Sequence, residues 1–208
     1  MSRILELYKE LFDSKQRFID EVFEQEIYKK ANPQLTIIDL GAYEGEFAFY
    51  CLNFAKRIYA FEPDPRPFKV LEERVKKYEL GKIIKAYPMA VSVTDGERVL
   101  YASGAGGSRL IAEDDTDHSG DKKIKVKSVS LKTFLERNKI DKVGILKIDV
   151  EGVEDEIFQS EAFKEIAPRI ETIIGEDHQD SLGPSLRASG FEYDNYGGHI
   201  FTARRKHR

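Results

Sequence analysis

Residues 35–45 read LTIIDLGAYEG, and their pattern is the clearest indication of the fold. LTIIDL is a short, mainly apolar run that has the length of a buried strand. Gly41 and Gly45 then mark a turn, and the apolar segment EFAFYCLNFA that follows has the length of a helix. A strand that passes through a glycine turn into a helix predicts the first unit of an α/β sheet.

Short apolar runs alternate with helical segments over the rest of the chain. Helices are predicted at 66–80, at 153–166 and within 181–190, and further strands are predicted at 57–62, 82–91, 143–150 and 169–176. FEYDNY and HIFTARR form a closing hairpin across Gly197-Gly198, which adds an antiparallel strand at one edge. We therefore expect an α/β fold, a doubly wound, mostly parallel seven-stranded sheet covered on both faces.

One segment interrupts this alternation. ERVLYAS and KIKVKSVSL predict two more strands, and the stretch between them is rich in Gly, Asp and Ser. Connections of that length are usually functional or disordered. We therefore expect a small β insertion whose connecting segment, 103–121, covers the cleft as a mobile lid.

The first thirty residues have the pattern of one amphipathic helix. Apolar side chains recur at helical spacing from Ile4 and Leu7 onward, and Asn32-Pro33 ends the helix. We expect a helical extension over 1–32 and a ligand-binding domain over 33–208. The extension would cap that domain or bind a partner, including a second copy of the chain.

Composition excludes several classes of protein. Of the 208 residues 41% are hydrophobic and 34% charged, which is typical of a globular domain rather than a disordered chain. The formal net charge of -4 argues against a general affinity for nucleic acid or anionic lipid. No apolar run reaches the roughly 18 residues of a membrane span, and the start is too charged for a secretory signal, so we expect a cytoplasmic protein. The single cysteine, Cys51, excludes an internal disulfide and suits a buried position.

The glycine turn and a distant acid together predict a binding site. Glu62 ends the second predicted strand, 21 residues after Gly41. In open α/β sheets, ligands bind beyond the carboxyl ends of strands, where the strand order reverses. A glycine turn lets the backbone approach a ligand, and a carboxylate at this distance can accept both hydroxyls of a ribose. The pair therefore indicates a ligand that contains adenosine.

The spacing of the glycines distinguishes between adenosine ligands. Nicotinamide dinucleotide sites use G-x-G-x-x-G, whereas Gly41 and Gly45 here are separated by three other residues. Asp39, just before the turn, suits a cationic ligand better than a diphosphate. S-adenosylmethionine, with its ammonium and sulfonium groups, is such a ligand. The alternatives are a nicotinamide-dependent oxidoreductase, a non-catalytic nucleotide-binding module and a plain strand–helix turn without a ligand.

Candidate catalytic residues follow the fourth and fifth main-sheet strands. Lys147, Asp149 and Glu151 share one face of an extended chain because side chains alternate in a strand. We expect Asp149 to be a general base or to position the acceptor, with Glu151 second, and Lys147 to pair with an acid. His178 is an alternative base.

These carboxylates also suggest a metal site as an alternative. Together with Glu176, Asp177 or His178, Asp149 and Glu151 have the oxygen ligands that Mg²⁺ prefers. The sequence has no compact metal motif, so we predict no metal.

Four segments resemble the FkbM family of methyltransferases. They are IIDLGAYEGEFAFY, YAFEPDPRPFKVLEERV, AVSVTDGERVLY and VKSVSLKTFLERNKIDKVGILKIDVEGVEDEIF, and the match runs from about residue 35 to about residue 158. AFEP and LKIDVEG are the most distinctive strings. GGSRL, at 106–110, resembles a short Gly/Ser element that the family often has.

The resemblance implies a class I, Rossmann-like methyltransferase that uses S-adenosylmethionine. It implies a hydroxyl acceptor on a small molecule or sugar, and neither a nucleic-acid nor a membrane partner is expected. An RNA or protein acceptor is an alternative, although the acidic chain disfavours RNA. Carried over by position, the residues that the resemblance places at the cofactor are Asp39, Gly41, Ala42, Gly45, Glu62, Pro63 beside it, and Ala90 at the adenine edge.

The chain departs from the family pattern at one point. The family usually has Asn and a small apolar residue after Gly-Ala, where this chain has Tyr43-Glu44. A carboxylate at position 44 would repel the carboxylate of the methionine group. We therefore expect the Glu44 side chain to point away from the site.

Overall fold

The structure is a computed structural model that describes residues 11–12, 35–102, 108–110, 122–150, 152–177, 179–197 and 199–206. Of the predicted N-terminal extension it describes Leu11 and Phe12, which are helical. The rest of 1–32 and most of 103–121 lie outside the described residues. No helix among the described residues is both long and apolar enough to cross a membrane.

Strands alternate with helices as the sequence predicts. The helices are α1 Glu46–Tyr50, α2 Pro65–Lys77, α3 Leu131–Arg137, α4 Glu154–Gln159, α5 Glu161–Ile166 and α6 Leu182–Ala188. The strands are β1 Leu35–Leu40, β2 Ala55–Phe61, β3 Ile84–Tyr87, β4 Ala90–Ser92, β5 Gly96–Ala102, β6 Arg109–Leu110, β7 Lys122–Ser130, β8 Val143–Ile148, β9 Ile170–Glu176, β10 Phe191–Asn195 and β11 Ile200–Arg205.

Within the described residues, the main sheet has seven strands in the order β10-β11-β9-β8-β1-β2-β3. The neighbouring strands β9, β8, β1, β2 and β3 of this sheet pair in parallel. In contrast, β11 runs antiparallel to both β9 and β10. The predicted fold class and the closing hairpin are thus confirmed. Because the chain builds outward from β1 on one side and from β8 on the other, the strand order reverses between these two neighbours.

The core lies on both faces of this sheet, because alternate strand residues point in opposite directions. Ile38 and Leu40 pack in one cluster with side chains from α3 to α6. Ile37 packs in the other with side chains of α1 and with Cys51, which is buried as predicted. Helices therefore cover the sheet on both sides, the arrangement that a parallel sheet requires.

The predicted strand 82–91 is in fact two strands in two sheets. β3 pairs with β2 at the edge of the main sheet, and β4 pairs with β7. The chain changes sheet at Pro88-Met89, because proline has no N–H to donate to a strand ladder. In the described part of the chain, the second sheet has the order β4-β7-β5-β6 and includes the two strands of the predicted insertion.

Serine side chains set two helix boundaries that the sequence pattern does not predict. The single helix predicted over 153–166 is divided at Ser160, which is extended (ψ 145°) and whose hydroxyl accepts a hydrogen bond from Phe163 N, so that α5 starts anew. Ser130 caps the unpredicted α3 in the same way, by accepting from Thr133 N. Such local side-chain bonds compete with a continuous helix or strand.

Aromatic rings pack behind the carboxyl end of β2. The ring of Phe134, on α3, meets Phe61, Tyr87 and Tyr59 edge to face, with centroid distances of 4.7, 5.3 and 5.3 Å. Phe61 and Tyr87 are stacked at 5.0 Å. This group joins α3 to the strands β2 and β3.

Replacing Phe134 by alanine should remove the centre of this group. We expect Phe134→Ala to lower the free energy of unfolding by about 3–5 kcal/mol, because it combines lost burial with a cavity. Urea unfolding would measure the change. Val99→Ala, at a half-exposed position on β5, is the control and should change stability by less than about 0.5 kcal/mol. Equal losses in both variants would contradict this account of the core.

Candidate functional site

A cavity of about 250 Å³ opens at the carboxyl ends of β1, β2 and β8, beside the point where the strand order reverses. This is where open α/β sheets bind ligands. Its wall is formed by the turn after β1, the start of α1, the end of β2, the start of α2, Met89 and β4, the described part of the insertion, and the ends of β8 and β9. The lining residues are Gly41, Ala42, Tyr43, Glu46, Phe47, Phe61, Glu62, Pro63, Pro67, Met89, Ala90, Val91, Ser108, Leu110, Lys147, Asp149, Val150 and Glu176.

Gly41 brings the turn after β1 against the end of β8. Its φ is +75°, and a Cβ at this position would lie 1.8 Å from the carbonyl oxygen of Asp149. The N–H groups of Gly41 and Ala42 both donate to the carbonyl oxygen of Phe61, at 3.0 and 2.8 Å. The turn is therefore fixed against both neighbouring strands, and no side chain fits at position 41.

Glu62 is buried at the end of β2 with its carboxylate held by the backbone. Oε2 accepts a hydrogen bond from Tyr43 N and Oε1 one from Asp64 N, each at 2.7 Å. Burial raises the pKa of Glu62 to about 7, although the two backbone hydrogen bonds oppose this shift. Each oxygen of a carboxylate can accept a second hydrogen bond, so Glu62 still has acceptor capacity for hydroxyl groups in the cavity that it lines.

Lys147 joins two carboxylates at the base of the cavity. Its Nζ lies 3.2 Å from Asp149 Oδ2 and 3.6 Å from Asp39 Oδ1, and it donates to the carbonyl oxygen of Gly41 at 2.6 Å. The predicted pairing of Lys147 with an acid is therefore confirmed. Burial by itself would lower the pKa of Lys147, but the surrounding carboxylates together outweigh burial and raise it, so the ammonium stays protonated.

Asp39 lies beneath the turn and does not line the cavity. It is fully buried, and neither of its oxygens accepts a hydrogen bond from the described residues. Burial raises the pKa of Asp39 to about 6 against the attraction of Lys147. Asp39 is therefore a partly compensated buried charge at the centre of the sheet.

Glu44 points away from the cavity, as the sequence predicts. Its carboxylate lies 3.1 Å from Arg74 Nη1 on α2, and the same nitrogen donates to the Glu44 carbonyl oxygen at 2.9 Å. The Arg74 guanidinium also lies over the ring of Phe12, 4.8 Å from its centroid. Glu44, at which the chain departs from the family pattern, therefore joins the glycine turn to α2 through Arg74.

Comparison with known proteins gives the family. A model described as the methyltransferase FkbM domain matches residues 39–194, well over half of the chain. The chain belongs to the FkbM methyltransferase family. No curated protein matches it.

Solved structures of other methyltransferases share the fold of this chain at low sequence identity. The methyltransferase FkbM from Methylobacillus flagellatus KT has a TM-score of 0.60 at 13% identity, over 90% of this chain and 47% of that chain. This chain thus spans about half the length of that protein. Precorrin-6y C5,15-methyltransferase from Geobacter metallireducens GS-15 has a TM-score of 0.50 at 14% identity, over 85% of this chain and 82% of that chain. At these identities the likeness shows the class I methyltransferase fold alone.

The FkbM resemblance assigns several residues to the cofactor, and the structure brings most of them to one cavity. Five of them, together with the proposed base, line it: Gly41, Ala42, Glu62, Pro63, Ala90 and Asp149. Gly45 does not line it. Its φ is +94°, in the left-handed region that favours glycine, and a Cβ there would lie 2.6 Å from Leu71 Cδ1 on α2. Glu151 and His178 lie outside the described residues.

Glu154 also shapes the site, a role that the sequence pattern does not predict. It is buried at the start of α4, and its carboxylate accepts hydrogen bonds from Val150 N at 3.1 Å and Gly152 N at 2.8 Å. These bonds fix the loop directly after Asp149. The available signal was an acid two residues after a glycine at a strand–helix junction, a position typical of backbone capping.

Ser108, within the GGSRL element, connects the insertion to the cavity. Its hydroxyl donates to Asp64 Oδ2 at 2.7 Å, while Asp64 Oδ1 caps α2 by accepting from Arg66 N. Ser108 and Leu110 line the cavity, so the described part of the insertion lies at the cleft. The proposed lid segments, 103–107 and 111–121, lie outside the described residues.

Asp177, one of the alternative metal ligands, is occupied by the backbone and a tyrosine. Its oxygens accept from the N–H groups of Ser181 and Leu182 and from the hydroxyl of Tyr193. Among the residues that the structure describes, no group of three or more His, Cys, Asp or Glu side chains is arranged to hold a metal ion. Asp177 instead fixes the start of α6 against the closing hairpin.

The two raised carboxyl pKa values predict how the stability of the free protein depends on pH. The folded values of about 6 for Asp39 and about 7 for Glu62 lie above the ordinary 3.8 and 4.5, so the folded state retains protons that the unfolded chain has lost. Stability supplied by the protonated forms is complete below about pH 4 and is lost as the pH rises to about 7. The melting temperature should therefore fall over this range.

Asp39→Asn should flatten this fall and raise the melting temperature at pH 8, because the amide carries no buried charge. Thermal unfolding at several pH values between 4 and 8 measures both effects, with Asp141→Asn, at an exposed position before β8, as the control. A lower melting temperature for Asp39→Asn at pH 8 would mean that the ion pair with Lys147 outweighs the burial of the carboxylate, contrary to this prediction.

Proposed function

We propose that the chain is an S-adenosylmethionine-dependent methyltransferase that methylates a hydroxyl group of a small molecule or sugar. One observation carries the proposal. The glycine turn at Gly41, the carboxylate of Glu62 and the carboxylate of Asp149 line the same cavity at the strand-order reversal. The first two are features of an adenosine site, and the third is a group able to take up a proton.

The residues present fit S-adenosylmethionine. The absence of a side chain at Gly41 leaves the turn open to close approach, and Glu62 offers a carboxylate to the ribose hydroxyls. Ala90, between Met89 and Val91, gives an apolar wall for the adenine. The negative charge of Asp39 behind the turn favours a cationic ligand over a diphosphate. When bound, this donor supplies an electrophilic methyl group on sulfur.

Asp149 is the group that we propose to act on the acceptor. It follows β8 directly, lines the cavity, and has a side chain that is 30% exposed. A hydroxyl that becomes methylated must lose its proton, and a carboxylate within hydrogen-bond reach can accept it. Glu154 fixes the following loop and Lys147 contacts Asp149 Oδ2, so this carboxylate has a defined position.

The structure offers little support for a nicotinamide dinucleotide in this cavity. The tight G-x-G-x-x-G turn uses backbone N–H groups at the start of a helix to bind a pyrophosphate. Here the N–H of Tyr43 donates to Glu62 instead, and the turn lacks the glycine pattern. A non-catalytic nucleotide-binding module would have no need of Asp149 at the cavity. The oxidoreductase and the module are therefore not proposed further.

Binding of S-adenosylhomocysteine tests the donor site. We expect Glu62→Gln to weaken binding at least about tenfold, since one lost charge-assisted hydrogen bond is worth about 1.5–3 kcal/mol. Isothermal titration calorimetry at pH 8 gives the affinity. Glu72→Gln, on the exposed face of α2, is the matched control and should bind like the wild type. Unchanged binding by Glu62→Gln would show that the ribose lies elsewhere.

Turnover tests the role of Asp149. The acceptor is sought by S-adenosylhomocysteine release from a panel of sugars and hydroxylated aromatic compounds. With the fastest acceptor of that panel, Asp149→Asn should lower kcat by about 10²–10⁴-fold if Asp149 is the base, and should leave donor affinity unchanged. Asp141→Asn is the control for the charge change. A folded Asp149→Asn protein with normal kcat would exclude proton transfer by this residue.

A further inference from the structure

Lys147 is the one cationic side chain among the described residues that line the cavity, and it is almost fully buried. Its ammonium lies between the donor half of the site, at Gly41, and the acceptor half, at Asp149. These two residues come from neighbouring strands, and Lys147 contacts both at the same time. The resemblance gives this lysine no role, and the proposed function uses only its contact with Asp149.

We propose that Lys147 is a positioning residue for methyl transfer, which holds the donor turn and the carboxylate of Asp149 at a fixed distance from each other. The inference rests on the proposed function, because it concerns the same cavity and the same base. It adds Lys147 as the residue that aligns the turn at Gly41 with the carboxylate of Asp149.

The contacts of the ammonium exclude a role for Lys147 as the base. A protonated lysine has three N–H groups and no lone pair. One N–H binds the carbonyl oxygen of Gly41 at 2.6 Å, and a second is within reach of Asp149 Oδ2 at 3.2 Å. Nζ also donates to the carbonyl oxygen of Leu40, at 3.4 Å, and lies 3.6 Å from Asp39 Oδ1. The ammonium is thus surrounded by oxygens of the protein, so it orients its neighbours.

The strand ladder positions the backbone at this point, but it does not position the Asp149 carboxylate. Asp39 and Lys147 are partners in the register of β1 and β8, and Asp149 N donates to the carbonyl oxygen of Leu40 at 3.1 Å. The carboxylate of Asp149 extends beyond this ladder and is held by the lysine. Among the described residues, Lys147 is the partner that holds this carboxylate. Without the ammonium the carboxylate can move, and a displacement of about 1 Å can cost about 10²-fold in rate.

A pair of variants separates positioning from stability. Lys147→Met removes the ammonium and leaves Asp39 buried without its partner, so we expect a lower melting temperature. Asp39→Asn combined with Lys147→Met removes both buried charges, so we expect the melting temperature to recover. Lys85→Met, at an exposed position on β3, is the matched control for loss of a lysine.

The kinetics of the double variant show whether Lys147 positions Asp149 or only stabilises the fold. With the fastest acceptor of the hydroxyl panel, we expect kcat to remain at least about 100-fold below wild type. We expect KM for S-adenosylmethionine to stay within about threefold, because the double variant removes one negative and one positive charge together, and Glu62 and the bonds from Gly41 and Ala42 to Phe61 remain. If kcat recovers together with the melting temperature, Lys147 acts through stability alone and the proposal is overturned.

Nuclear magnetic resonance gives a readout that needs no acceptor. In protein labelled with ¹⁵N-lysine, we expect an ammonium signal protected from exchange at neutral pH that is absent from Lys147→Met. Asp149→Asn should shift this signal, whereas Asp141→Asn should not. If the Lys147 signal is not protected from exchange, or if its chemical shift is unchanged in Asp149→Asn, the contact between the two side chains is absent and the proposal is overturned.

Measurements on the wild type distinguish a failure of the proposed function from a failure of the role of Lys147. If the wild type binds no S-adenosylhomocysteine and methylates no member of the panel, the proposed function fails and the role of Lys147 fails with it. If the wild type binds and turns over, and the stabilised double variant does so equally well, the role of Lys147 fails alone.

Discussion

The site depends on the contact between two backbone segments, the turn at Gly41 and the carbonyl group of Asp149. A side chain at position 41 would overlap that carbonyl oxygen, so only glycine permits β1 and β8 to continue side by side to their ends. This approach places the end of β8 next to the turn that leads into α1. It also brings Lys147 within reach of the Gly41 carbonyl oxygen. The glycine turn and Asp149 are therefore adjacent because position 41 has no Cβ.

Placing carboxylates at this contact has a cost in stability. Asp39 and Glu62 are both buried, and burial raises the pKa of each. A protein optimised for stability alone would have neutral side chains here. The chain limits the cost by placing one ammonium beside Asp39 and two backbone N–H groups at Glu62. Functional sites commonly retain such groups at the expense of stability.

The sequence predicts those parts of the structure that depend on periodicity and on charge. The order of the main-sheet strands, the hairpin, the pairing of Lys147 and the outward direction of Glu44 all follow from patterns along the chain. The division at Pro88-Met89 has a local signal in the proline, but the pairing of β4 with β7 depends on residues about forty positions later. The break at Ser160 depends on one hydroxyl that competes with the helix ladder. The role of Glu154 requires the path of the loop, which spacing alone does not give.

The environment of Glu62 also has a thermodynamic consequence for any ligand that it binds. With a pKa of about 7, this carboxyl group is partly protonated in the free protein at neutral pH. A ligand whose hydroxyls donate to the ionised carboxylate must displace that proton. Its association then releases a fraction of a proton to the solvent, and the buffer that takes up this fraction contributes its own heat of ionisation. The apparent enthalpy of such an association is therefore a property of the protein, the ligand and the buffer together.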